Sequence, residues 1–174
     1  MSLITAEERD KLFSTFKQEA FHLELQDEYH VSIEDGPYAK WLSGEPDDFA
    51  WFRPWLEQVH ALATTGKTIR RVRVVSEPVT DYIRWELALT PMNHEAGEDI
   101  RWLPRRRLPD GFRFPAEGHD WWLFDEDTLA VTHFRADGRF DGAELITDPA
   151  VVGEAVQVRD RLWSLALPYA DYRP

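Results

Sequence analysis

Hydrophobic positions along this chain switch between a helical and a strand period, and the switch points outline the fold. Leu12, Phe13, Phe16 and Ala20 recur at helical spacing behind Thr5, with Glu7 and Glu8 in the first turn. The pattern predicts a helix over 5–20. Phe21, Leu23 and Leu25 then alternate with His22, Glu24 and Gln26, a half-buried strand with His22 on its wet face. Asp35-Gly36-Pro37 breaks the chain, and Tyr38, Trp41 and Leu42 predict a short helix closed by Gly44. In the next loop, Asp47 and Asp48 read as a solvated turn rather than metal ligands. Pro54 opens a helix carrying Trp55, Leu56, Val59, Leu62 and Ala63, ended by Gly66.

The stretch from Lys67 to Leu89 is the most unusual. Ile69, Val72, Val74 and Val75 have strand character, yet Arg70, Arg71 and Arg73 interrupt them. Ser76-Glu77-Pro78 turns the chain, Thr80 or Asp81 caps a helix with Tyr82, Ile83, Trp85, Leu87 and Leu89, and Thr90-Pro91 restarts or kinks it. Gly97 ends this region, and Asp99–Leu103 is a short strand. The order strand, helix, strand predicts a parallel βαβ unit. A loop rich in Pro and Gly follows, the most exposed and mobile connection expected. WWLFDED, TLAVTHF and RFDGAELITD, with a turn at RADG, predict a β-meander. Asp148 and Pro149 open a last helix whose stripe is Val151, Ala155, Val158, Leu162 and Leu165; Pro168 stops it and leaves a frayed tail. The fold class is therefore α/β, with α+β as the alternative. It is a mixed sheet with a βαβ unit, a C-terminal meander and a packed C-terminal helix, as one domain over 1–174.

Composition narrows the functional classes. The net charge of −12 argues against direct nucleic-acid binding, which needs phosphate neutralisation. The absence of cysteine removes disulfides, thiolate zinc sites and cysteine nucleophiles. No signal peptide and no run of membrane-spanning length is visible, so a soluble, cytoplasmic protein is expected. Eight Trp and ten Phe exceed what one small core needs, which leaves rings free for a binding surface.

The arginines carry the best functional lead. Alternation puts Arg70 with Val72 on one sheet face and Arg71 with Arg73 on the other. Buried guanidiniums need partners, and Glu77, Glu86 and Asp125 are the candidates. The alternative is an anion pocket at the carboxyl end of the strand, lined by Arg71, Arg73, Ser76, Arg84 and Arg105. Ion pairs are the expectation for Arg70 and Arg71, and Arg73 is the first choice for function. The loop cluster Arg105-Arg106-Arg107 suits a phosphate, an acidic partner or plain solvation. Six histidines show no metal-binding spacing, and neither a serine-hydrolase elbow nor a phosphate-binding loop is present. Asp125-Glu126-Asp127 reads as a strand-end turn. No cofactor or metal is implied.

The segments RRVRVVSEPVTDYIRWELALTPMNHEAGEDIRWLPRR, WWLFDED, HFRADGRFDGAELITDP and FHLELQDEY resemble the DUF6879 family of uncharacterised actinobacterial proteins, over about Asp10 to Pro168. The resemblance implies no reaction; it implies a regulatory or accessory role beside helix-turn-helix regulators. The order of elements also resembles phospholipase D-like half domains. Active members carry His-x-Lys followed by Asp. His119 falls at the His position, Trp121 replaces the Lys, and Glu126 falls at the Asp position. The expected function is a non-catalytic module that binds a protein partner, such as a helix-turn-helix regulator, or a small anionic ligand. The alternatives are a degenerate phosphoesterase using His119 as nucleophile or His133 as acid–base, and a structural homodimer.

Overall fold

In the computed structural model, which describes residues 2–174, the two hydrophobic periods sort into one mixed sheet and the helices covering it. The strands are β1 (Glu19–Glu24), β2 (Thr68–Val75), β3 (Glu98–Pro104), β4 (Trp121–Phe124), β5 (Thr128–Phe134), β6 (Phe140–Ile146) and β7 (Leu167–Pro168), in the order β6-β5-β4-β1-β2-β3-β7. β1, β2 and β3 are parallel, and the remaining pairings are antiparallel. The helices are α1 (Ala6–Asp10), α2 (Leu12–Thr15), α3 (Asp35–Ser43), α4 (Arg53–Thr64), α5 (Asp81–Ala96) and α6 (Pro149–Leu165).

The fold class and the β2–α5–β3 crossover agree with the sequence pattern. Thr80 caps α5 through a bond accepted from Ile83 N–H, and Asp148 caps α6 through Ala150 and Val151 N–H. Gly44 and Gly97 close α3 and α5 in the left-handed conformation.

Four expectations are corrected. The helix over 5–20 is two short helices divided at Lys11, and it ends at Thr15 because the backbone turns extended at Phe16 and is then claimed by Asp125. That carboxylate accepts N–H bonds from Lys17, Gln18 and Glu19 at 2.6–3.1 Å. Burial would raise its pKa, but these donors outweigh it and hold it below the usual aspartate value. Asp125→Ala is expected to cost about 1 kcal/mol in urea denaturation, and an unchanged midpoint would refute this anchoring role. The helix does not restart at Thr90-Pro91: α5 contains Pro91 within a single helix. The α6 stripe is rotated by one residue at two positions; Val152, Ala155, Arg159 and Leu162 are its buried side. The tail is not frayed, since Tyr172 is buried and stacks on Trp102 at 5.7 Å and 5°.

Alternation then divides the core by sheet face. Phe21, Leu23, Val72, Val74, Leu103, Trp121 and Leu123 pack under α6. On the other face, Ala20, Ile69, Trp122, Phe124 and Val59 form one cluster, and Ile100, Trp102, Ile83, Trp85 and Leu89 another. Between these two clusters lie His22 and Glu24 of β1 and Arg71 and Arg73 of β2. Among the described residues, no helix is long and apolar enough to cross a membrane.

Candidate functional site

Strand pairing assembles the site. Parallel register sets His22 beside Arg71 and Glu24 beside Arg73, so β1 offers a histidine and a carboxylate where β2 offers two guanidiniums. Glu24 Oε1 accepts from Arg71 Nη1 at 2.7 Å, and its other oxygen pairs with Arg73. Arg71 Nε reaches Glu98 Oε1 at 2.7 Å, and Arg73 Nη2 reaches Glu86 Oε2 at 2.7 Å. Glu98 also accepts from Trp55 Nε1 and Asn93 Nδ2, which tie α4 and α5 to the sheet. Both guanidiniums lie near indole rings, Arg71 at 5.8 Å from Trp122 and Arg73 at 5.7 Å from Trp102. Burial disfavours charge here, but Glu24 and Glu86 outweigh it for Arg73, whose pKa is raised. Glu98 with Glu24 does the same for Arg71.

Above this layer a second set of acids sits beside tyrosines. Tyr82 Oη lies 2.7 Å from Glu34 Oε2 and 3.0 Å from Glu86 Oε1. The phenol is the donor to both carboxyls, and its one proton is shared between them. Burial and the nearby Glu86 charge push Glu34 from 4.5 up to about 7. Asp120 is 2% exposed. It accepts from Leu25 N–H at 2.9 Å and Tyr29 Oη–H at 2.5 Å. Burial raises it from 3.8 to about 7. His22 is not on a wet face as expected. It stacks on Trp122 at 4.1 Å and 11°, and burial beside Arg71 pushes its pKa well below 6.5.

These groups line a cavity of about 570 Å³ between the sheet, α1, α4, α5 and the segment before α3. Its walls are aromatic: Phe13, Tyr29, Trp51, Phe52, Trp55, Tyr82, Trp122, Phe134 and Phe140. Val31 and Ile33 stand at the rim, 40% and 58% exposed.

The five residues named for an anion pocket do not converge. Arg71 and Arg73 line the cavity, whereas Ser76, Arg84 and Arg105 do not. Ser76 N–H donates to Asp27, Arg84 pairs with Asp81 in solvent, and Arg105 donates to Leu25 C=O. Glu86 is a partner of Arg73 as expected, but Glu77 pairs with Arg106 and Asp125 holds backbone. Arg70 pairs with Glu19 on the α6 face and lies over Trp163 at 4.7 Å. Asp47 and Asp48 accept from Trp51 Nε1 and Ala50 N–H, a turn as expected. The residues not anticipated are Glu34, Glu98, Asp120, Tyr29 and Tyr82.

The histidines of the enzyme alternative lie elsewhere. The His119 and His133 rings lie 4.7 Å apart, tilted at 39°, with His133 Nε2 3.5 Å from Glu144. Alternation along β4 and β5 puts them on the α6 face, opposite the cavity. Trp121, at the position of the phosphate-binding Lys, is fully buried in the core beneath α6.

No curated protein matches the chain. Among solved structures, NucT from Helicobacter pylori aligns with a TM-score of 0.50 at 9% identity, over 96% of this chain and 96% of that chain. That likeness is one of fold, and it is consistent with the phospholipase D-like order of elements noted in the sequence. The family model described as Domain of unknown function (DUF6879) matches residues 7–174, and the chain belongs to that family.

Proposed function

We propose that this protein is a non-catalytic ligand-binding module whose site is the cavity over β1, β2 and β4. The observation that carries the reading is a preformed, aromatic-walled space on a floor of closed ion pairs. Aromatic walls with a few fixed polar groups are the usual make-up of a small-molecule site. The floor positions groups rigidly and leaves no nucleophile beside a matched base. The small-anion version of this reading is not retained, because each guanidinium that reaches the cavity already faces two carboxylates. A regulatory partner, of the helix-turn-helix class implied by the family resemblance, would read the ligand from the rim. Exposed Val31 and Ile33 support a protein contact there.

The test uses Gln58, an exposed α4 residue at the cavity. Gln58→Trp is expected to narrow the space without touching the core. A metabolite library screened by ligand-observed NMR should yield binders that quench tryptophan fluorescence and are lost in the variant at an unchanged melting temperature. Binders indifferent to Gln58→Trp would place the site elsewhere and remove the reading. The degenerate phosphoesterase is favoured only by the close approach of His119 and His133. It predicts diester turnover that His119→Ala abolishes, and no turnover in a generic phosphodiester screen would end it.

A further inference from the structure

The acids and bases lining the cavity do not balance. Arg9 pairs with Asp10 at 2.7 Å. Arg71 and Arg73 face Glu24, Glu86 and Glu98. Glu34 and Asp120 are left with tyrosine hydroxyls and, among the described residues, no guanidinium or ammonium within ion-pair distance. Their tyrosines are neighbours: the Tyr29 and Tyr82 rings lie 6.0 Å apart, and Phe134 is 5.8 Å from Tyr29. The two unmatched carboxyls therefore flank one aromatic corner of the same cavity.

We propose that the cavity takes a small organic cation, an amine on an apolar or aromatic body, with its ammonium between Glu34 and Asp120 against the Tyr29 and Tyr82 rings. Two independent features select that chemistry. A carboxyl without a counter-charge ionises only at a cost, which an incoming positive charge removes, so the site favours a cation and is hostile to a second anion. Ring faces attract cations, and more so when both are desolvated. The aromatic walls further out, Trp51, Phe52 and Trp122, accommodate the apolar body. An inorganic cation would satisfy the acids but leave those walls uncovered. The inference rests on the cavity being a ligand site, and it names the class of ligand.

Binding would also move protons. Glu34 and Asp120 hold protons near neutrality, with Glu24, Glu86 and Arg73 as the charges facing them. An incoming ammonium favours their ionised forms, so protons leave as the cation enters.

The experiment is calorimetry at pH 6.5 with a panel of aromatic amines, tryptamine among them, each matched by its neutral alcohol and its carboxylate. The amines are expected to bind about tenfold or more tighter than the alcohols. The carboxylates should bind weakest. The enthalpy should depend on the buffer's ionisation heat in the direction of proton release. Asp120→Asn and Glu34→Gln should each shrink the amine-over-alcohol ratio while leaving alcohol binding in place, which controls for folding. Alcohols or carboxylates binding as well as the amines, in a manner lost in Gln58→Trp, would overturn the cation inference and leave the cavity reading intact. A panel in which nothing binds would bring down both.

Discussion

Arg73→Met is expected to lower the unfolding free energy by about 3–5 kcal/mol, a large fraction of what a domain of this size possesses. The guanidinium is 6% exposed at the side chain and faces Glu24 and Glu86. Removing it leaves two buried carboxylates, of which only Glu24 keeps a second guanidinium, Arg71. The cost is thus mainly the uncompensated charge rather than the lost bonds. Glu86→Gln in the Arg73→Met background should recover about 1–2 kcal/mol, since it removes the charge with no remaining arginine. Urea denaturation at pH 7 measures both. A single-variant loss below about 1 kcal/mol would mean that water already satisfies the guanidinium and that the pairs do not hold the floor.

Stability should fall, not rise, between pH 5.5 and pH 8. Glu34 and Asp120 titrate near 7 in the folded chain, against 4.5 and 3.8 for the free groups. A folded pKa above the unfolded one gives stability that is fully present below the unfolded value and is lost as pH rises through the folded value. His22 works the other way: its lowered folded pKa costs stability as pH drops below 6.5. Each shifted group contributes up to about 1.4 kcal/mol per pH unit. Two acids against one imidazole leave a net loss of about 2 kcal/mol from pH 5.5 to pH 8. Asp120→Asn should remove about half of the acids' contribution and stabilise the protein at pH 8. Melting temperatures that climb steadily across this range would contradict the protonation states assigned to the site.

Much of the architecture was legible because it is local. Alternation, caps and turn residues marked β1 through β6, the start of α5 at Thr80 or Asp81 and the cap of α6 by Asp148. The site was legible only in part. Alternation correctly split Arg70 from Arg71 and Arg73, but the partners of the arginines come from register, which is non-local. The polar face of β1, His22 and Glu24, read as a wet edge. A second signal was available: a His-x-Glu strand beside an Arg-x-Arg strand offers complementary charge at matching spacing, which marks a buried polar layer between two strands. Glu34 and Asp120 left no such trace. Both sit outside regular strands, and only tertiary packing buries Asp120 and half-covers Glu34.

The position of β1 has one more consequence. The first strand is central, and its neighbours β2 and β4 come from distant parts of the chain, as in Glu19 opposite Thr68 and Ala20 opposite Phe124. Seating it requires long-range pairings, while the β4–β6 meander is built from near neighbours. A slip of one residue in β2 would turn Arg71 and Arg73 onto the apolar underside of α6 and strand Glu24, Glu86 and Glu98 without counter-charge. The charged layer that shapes the cavity floor thereby proofreads the strand register: only one alignment of the central strands brings each buried charge to its opposite.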